Sequence, residues 1–275
     1  NYRYQLGSVQ EVGNIYPKYY LKAFYDGMTA EGDTMPISLI RSAWAGSAKY
    51  GALVWSGDIV STFECFRRQV QAGLNMAVAG IPWWTTDIGG FHGARTDDPD
   101  FHRLYIRWFE YGCFCPVMRL HGNRNPQEGY GAEQIGSGSH NEIWSFGDKA
   151  YEISKKYIFL RERLRDYIRA QMKKAHEDGT PVMRPVFYDF PADQESWNVE
   201  DAYLFGPDLY VAPVMEDHVT EREVYLPDGT AWFNAWTGEK YEGGQNVTVA
   251  APLDTIPVFV KEGADAEKLL NIFSE

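Results

Sequence analysis

Four short apolar runs, Ile37–Ile40, Ala52–Trp55, Ile81–Trp84 and Pro116–Leu120, alternate along the first part of the chain with segments of helical periodicity. Such runs are too short for helices. Strands separated by helices pair in parallel, because each crossover returns the chain to the same end of the sheet. A polar group follows each run within a few residues, in the order Arg41, Asp58, Asp87 and His121. A (β/α)8 barrel builds its active site at the C-terminal ends of several strands, so this series predicts a site on one barrel rim. Closure takes eight βα units, and four are countable here, which predicts half of a barrel.

The helical segments carry their own start and stop signals. One helix is predicted from near Pro17 to Met28, with Tyr20, Phe24 and Met28 on one face. A second opens on the capping box Ser61-Thr62-Phe63-Glu64, repeats Phe63, Phe66, Val70, Leu74 and Val78, and stops at Gly80. Asp98 as N-cap and Pro99 at the first helical position open a third, which turns Phe101, Leu104, Trp108 and Tyr111 inward. The fourth and longest runs from Asp148 through Ile153, Tyr157, Leu160, Leu164, Tyr167, Met172 and Ala175 to Gly179. Gly136-Ser137-Gly138-Ser139 reads as a flexible loop.

Charge and texture change together near residue 180. Residues 1–180 carry 21 basic and 20 acidic side chains, whereas residues 181–275 carry 5 and 18. The later part offers the strand-like pieces Leu209–Val214, Glu223–Leu226, Val247–Val249 and Pro257–Val260. Turn signals at Pro227-Asp228-Gly229, Thr237-Gly238 and Gly243-Gly244 separate them. Residues 1–180 are therefore expected to form the barrel part and residues 181–275 a β-rich domain.

A net charge of −12 repels phosphate backbones, and no Lys/Arg run forms a basic arm, so nucleic acid is not an expected partner. The longest apolar stretch, Ala72 to Trp84, is broken by Asn75 and Pro82, which predicts no transmembrane helix. Residues 1–20 lack the order of a signal peptide. Cys65, Cys113 and Cys115, an odd count, read as free buried thiols in a reducing, cytoplasmic setting. Finger-like metal spacing is absent, and no metal is expected.

Locally, Asp58 in Trp55-Ser56-Gly57-Asp58 reads either as a loop or N-cap carboxylate or as a catalytic acid. Asp87 follows Trp83 and Trp84 and precedes Gly89, Gly90 and Phe91. The glycine pair weakens a strand without adding packing, which predicts a close backbone approach. Flat aromatic faces beside carboxylates suit a sugar, with its apolar C–H faces and its rim of hydroxyls. Arg41 reads as buried in an ion pair with a barrel carboxylate or as orienting one, and either keeps the carboxylate ionised; His121 reads as structural or as a donor to a substrate hydroxyl. The other histidines, His92, His102, His140, His176 and His218, read as structural.

Arg41-Ser42-Ala43-Trp44-Ala45-Gly46-Ser47, Trp55-Ser56-Gly57-Asp58, Ile81 through Phe91, Arg119-Leu120-His121-Gly122 and Thr180 through Pro185 resemble, in order, successive motifs of glycoside hydrolase family 31, the retaining α-glucosidases and α-xylosidases. The resemblance covers roughly residues 1–262. It implies an α/β architecture in which the C-terminal half of a (β/α)8 TIM barrel is followed by a β-sandwich. Asp58 matches the family's general acid/base. Arg41, Trp55, Asp87, Phe91 and His121 match positions lining the −1 sugar pocket. The family's nucleophilic aspartate ends the fourth barrel strand and its matching segment would precede Asn1, so the chain is expected to be a fragment without the nucleophile. An α-linked oligosaccharide is the implied partner, no cofactor is implied, and the chain alone is expected to self-associate into homo-oligomers. Two alternatives stay open: a non-catalytic carbohydrate-binding protein that keeps the pocket, and a metal-dependent hydrolase using Asp58, Asp87 and His121.

Overall fold

The computed structural model describes residues 2–126 and 138–274, so Gly136 and Ser137 of the anticipated loop lie outside the described residues. An antiparallel hairpin, β1 (Arg3–Tyr4) and β2 (Gly7–Ser8), leads through the short α1 (Val9–Val12) into α2 (Tyr16–Ala30). Pro17 lies in the first turn of α2, where a missing N–H breaks no helical bond. Tyr20, Phe24 and Met28 share a face as predicted, but Leu21 is the buried residue of this helix. The rings of Tyr16, Tyr20 and Phe24 instead pack on one another along an exposed face.

Three of the four apolar runs are strands. β3 (Ser38–Ile40), β4 (Ala52–Trp55) and β5 (Trp84–Thr85) pair in parallel in that order, Ser38 opposite Ala52 and Val54 opposite Trp84. The fourth run, Pro116–Leu120, is not a strand. Pro116 brings no N–H to a ladder, and two separate bonds lay the run beside β5: Val117 N to Trp84 O and Ile88 N to Arg119 O, both 3.2 Å.

Helix α3 (Phe63–Val78) is capped one residue later than the sequence predicts. Thr62, in extended conformation, accepts from the Cys65 N–H at 3.1 Å, while the Ser61 hydroxyl is taken by Arg124. Helix α4 (Pro99–Cys113) starts as predicted, with Asp98 accepting from the Asp100 N–H, and Phe101, Leu104, Trp108 and Tyr111 are all buried. The Phe66 ring of α3 stacks on Trp108 with centroids 4.8 Å apart. The predicted fourth helix is two, α5 (Gly147–Arg163) and α6 (Arg165–Asp178), parted at the fully buried Leu164. A break of one residue leaves the apolar spacing unchanged, so periodicity does not reveal it.

The rest is mostly β: β6 (Met183–Arg184), β7 (Tyr203–Phe205), β8 (Leu209–Val211), β9 (Glu221–Leu226), β10 (Ala231–Asn234), β11 (Lys240–Glu242), β12 (Gln245–Ala250) and β13 (Val258–Lys261), closed by α7 (Ala266–Ser274). Six strands form an antiparallel sheet in the order β11-β10-β13-β8-β7-β6, and β12 pairs with β9. The four predicted pieces are β8, β9, β12 and β13, and the predicted turns carry Gly229, Gly238 and Gly244 at positive φ. The six-stranded sheet is covered on both faces. Leu204, Tyr210, Trp232 and Phe259 share a core with Val224, Leu226 and Val249 of the β9–β12 pair. Their neighbours in sequence, Tyr203, Phe205, Leu209, Val211, Val258 and Val260, point the other way and join Phe66, Trp108, Tyr157 and Leu160 of the helices. A sheet buried on two faces carries unbroken apolar runs such as Tyr203-Leu204-Phe205 rather than alternation.

Cys65, Cys113 and Cys115 are free thiols; the latter two are buried and Cys65 is half-buried, short of the full burial expected. Among the described residues no helix is long and apolar enough to cross a membrane.

Candidate active site

Parallel pairing of β3 with β4 sends Arg41 and Asp58 out of the sheet at the same end. Gly57, at φ +78°, makes the turn between Trp55 and Asp58 that a side chain would resist. Arg41 Nη2 then meets Asp58 Oδ1 at 2.6 Å, with the two side chains 61% and 39% exposed. This pair stands on the rim.

Asp87, two residues beyond β5, lies at the opposite extreme of burial. Its side chain is fully enclosed, Oδ1 accepts from Arg119 Nη1, and Oδ2 has no hydrogen-bond partner among the described residues. A buried carboxylate is costly unless paired, and Arg119 meets that need. Arg119 was given no role in the sequence. The signal was its place two residues before His121, at the end of a run predicted as a strand, where alternate side chains share a face. The guanidiniums of Arg41 and Arg119 both lie against the Trp55 indole, 5.5 and 5.6 Å from its centroid.

Close backbone approach occurs where the glycine pair predicts it. At Gly90, φ +77°, a Cβ would come within 2.8 Å of Ser61 Cα and Val60 O. The chain after Asp58 and the chain after Asp87 are thereby tied together, with Phe91 N donating to Ile59 O and Ser61 N to His92 O. Phe91 consequently faces His121, ring centroids 5.3 Å apart. Burial and then the nearby Arg119 charge hold the His121 imidazole below its ordinary pKa, Asp58 pulling the other way and Arg124 adding to the depression. The ring is therefore neutral at neutral pH.

Behind this group Arg124 is fully buried, donates to Asn141 Oδ1 at 2.8 Å and Ile88 O at 3.1 Å, and lies over the Phe101 ring. Burial pushes its pKa down to about 10. It braces the segment just after Asp87, a role the sequence reading did not assign.

All six predicted residues, Arg41, Trp55, Asp58, Asp87, Phe91 and His121, thus fall in one cluster at the strand ends. Trp83 and Trp84 do not supply the flat faces expected of them. Trp84 is buried in the core and Trp83 packs against it, because they lie before or within β5 rather than beyond its end. Among the described residues no group of three His, Cys, Asp or Glu converges in a way that could hold a metal ion.

Ion-paired carboxylates, an indole and an imidazole thus gather beyond the ends of parallel strands, the place where a (β/α)8 barrel builds its site. The models of the glycosyl hydrolase family 31 TIM-barrel domain and of the family 31 C-terminal domain match residues 2–171 and 179–264, and the chain belongs to glycoside hydrolase family 31. It is 37% identical over 260 residues to the α-xylosidase of Saccharolobus solfataricus, covering 94% of this chain and 34% of that protein. Identity with α-glucosidase 2 of Bacillus thermoamyloliquefaciens is 34% over 257 residues, 93% of this chain and 30% of the relative. Among solved structures, a family 31 α-xylosidase from a soil metagenome complexed with xylose superposes with a TM-score of 0.94 at 55% identity, over 98% of this chain and 41% of that one. The chain spans about a third of the length of these curated relatives.

Proposed function

We propose that this chain is the part of a retaining exo-α-glycosidase that bears the acid/base residue, acting on a terminal α-linked xylose or glucose of an oligosaccharide. The observation that carries the reading is Asp87: a fully buried carboxylate with one oxygen held by Arg119 and the other without a partner, an acceptor suited to a sugar hydroxyl. Similarity to α-xylosidases and an α-glucosidase supports the substrate class.

Asp58 is the acid/base. It stands on the exposed rim, where a leaving group departs and water arrives, whereas Asp87 is enclosed where the −1 sugar would be held. Double displacement needs a second carboxyl group roughly 5 to 5.5 Å from the acid. Asp87 is a poor candidate, since Arg119 occupies one oxygen and neutralises its charge. In this reading the nucleophile comes from a barrel strand outside the chain. Asp58 protonates the glycosidic oxygen as the nucleophile attacks the anomeric carbon, and as a carboxylate it then takes a proton from the water that cleaves the glycosyl-enzyme. His121, being neutral, can both donate to and accept from sugar hydroxyls without adding charge beside the oxocarbenium-like transition state.

Hydrolysis of nitrophenyl α-xyloside and α-glucoside by the 275-residue chain, and by a polypeptide that adds the upstream half-barrel, tests this. Turnover is expected from the longer polypeptide and not from the chain alone. Turnover by the chain alone would overturn the missing nucleophile. Binding of xylose without turnover by the longer form would support the carbohydrate-binding alternative instead.

A further inference from the structure

The two carboxylates of the site are not held independently. Arg41 binds Asp58 and Arg119 binds Asp87, and both guanidiniums rest on the same indole, that of Trp55, at 5.5 and 5.6 Å from its centroid. Both distances lie within the reach at which a cation is attracted to the negative face of an aromatic ring. The chain Asp58, Arg41, Trp55, Arg119, Asp87 therefore runs continuously from the solvent rim to the enclosed carboxylate. Its members come from the ends of β3 and β4, from the segment after β5 and from the run laid beside it. Among the described residues no hydrogen bond or ion pair joins one Arg–Asp pair to the other directly, so the indole is the connecting body.

We propose that Trp55 is a positioning residue: its indole, in contact with both arginines, fixes the separation and aim of the proton-donating Asp58 relative to the sugar-holding Asp87. The inference rests on the functional reading above and deepens it. A wall residue touching only the sugar would govern binding. A spacer between the two arginines governs whether the acid is aligned when the sugar is seated, and so acts on kcat. The effect is greatest when protonation of the leaving group limits the rate. Replacing the ring by an aliphatic group removes the aromatic face on which both guanidiniums rest, so the two ion pairs lose their shared support.

The test is a cycle in the longer polypeptide, with Arg41→Lys and Arg119→Lys made singly and together, in backgrounds with Trp55, Trp55→Phe and Trp55→Leu. The substrate is an aryl α-xyloside or α-glucoside with a poor leaving group. With Trp55 present, the two lysine substitutions are expected to be non-additive in kcat by about fivefold or more. The Phe background is expected to keep at least half of that factor, and the Leu background to bring it below about twofold. Trp55→Leu alone should lower kcat about tenfold on the poor leaving group with KM changed less than twofold. On the α-glycosyl fluoride, which needs no protonation, it should lose far less. If the Leu variant does not fold, Trp55→Met gives the same comparison. Additive arginines with Trp55 present, or a coupling equally large with Leu or Met, overturns the spacer role, as does a loss confined to KM. An unsubstituted enzyme that turns over no α-glycoside would sink the functional reading itself, a result separable from an active enzyme whose arginines are uncoupled.

Discussion

Asp58 and Asp87 are chemically identical side chains made different by surroundings. One meets its arginine at a 39% exposed rim position, and the other is enclosed with its arginine above it. The sequence located both, because residues just past strand ends in a βα alternation have one place to go. The different roles proposed for them came only through resemblance to a family, since burial is not written in local sequence. Replacement of Asp58 by alanine separates the roles. Loss of a general acid is expected to cost about 10² to 10⁴-fold in kcat with a poor leaving group and much less with an activated fluoride. Asp87→Asn, which keeps shape but not charge, is expected to lose a similar factor on both. An equal loss on both substrates for Asp58→Ala would show that its role is misassigned. Arg119 and Arg124 escaped the reading for a common reason: an arginine in a loop is ordinarily a solvated one, and only the fold shows that Arg119 is half-buried against a carboxylate and Arg124 buried against a carbonyl.

Helices were read from caps and periodicity, and their errors have a pattern. At α4, Asp98-Pro99 has one sensible reading, and the cap formed there. At α3 the capping box pointed to Ser61 as the cap, with a glutamate three residues past it, and Thr62 stands next to it. The choice went to Thr62 because Ser61 is engaged elsewhere: its hydroxyl accepts from Arg124, and its Cα lies where Gly90 passes closely. Thr62→Ala is therefore expected to destabilise the protein by about 1 kcal/mol, the usual cost of a lost cap. That corresponds to a fall of about 2–4 °C in Tm. Ser61→Ala should leave the cap intact and cost less. Calorimetry on the two variants decides the matter, and equal losses would contradict the assignment. The split at Leu164 and the loss of the Pro116–Leu120 strand belong to the same scale. A one-residue break does not disturb a 3.6-residue rhythm, and a run opening on proline is apolar enough for a strand without being able to ladder.

Across the whole molecule, Arg107, the cation of a buried ion pair within α4, ties the barrel part to the β-rich part. Arg107 on α4 donates to the carbonyls of Val219, Ala251, Pro252 and Thr255, and with one further contact to Glu110 Oε2 at 3.2 Å. Glu110 is fully buried and its Oε1 has no partner among the described residues. Burial pushes its pKa up to about 8 against the pull of Arg107. The fold thus favours protonated Glu110, and the associated stability is complete below the ordinary carboxylate range near 4.5 and is lost as pH rises through about 8. Glu110→Gln, which copies the neutral form, should flatten this dependence and be more stable than the parent above pH 8. Urea unfolding at pH 5, 7 and 9 reads it out. A variant equally destabilised at all three would show that the charged pair is net favourable here.

The βα alternation, the strand-end residues and the change of charge and texture near residue 180 were set by the sequence alone. They depend on period, on spacing and on composition, all local or one-dimensional properties. The β-rich part was legible in part, through β8, β9, β12 and β13 and their glycine turns. Strands β7 and β10 were not, because a sheet covered on both faces carries no alternation to read. Tertiary structure alone decided which aromatic residue joined the site. Trp83, Trp84 and Trp55 all belong to apolar runs followed within three residues by a carboxylate. Yet two of the three pack in or against the core, and Trp55, last in its strand, meets the arginines. Which side of a strand end faces a charge depends on neighbours brought from 14 and 64 positions away, at Arg41 and Arg119, and no local pattern encodes that.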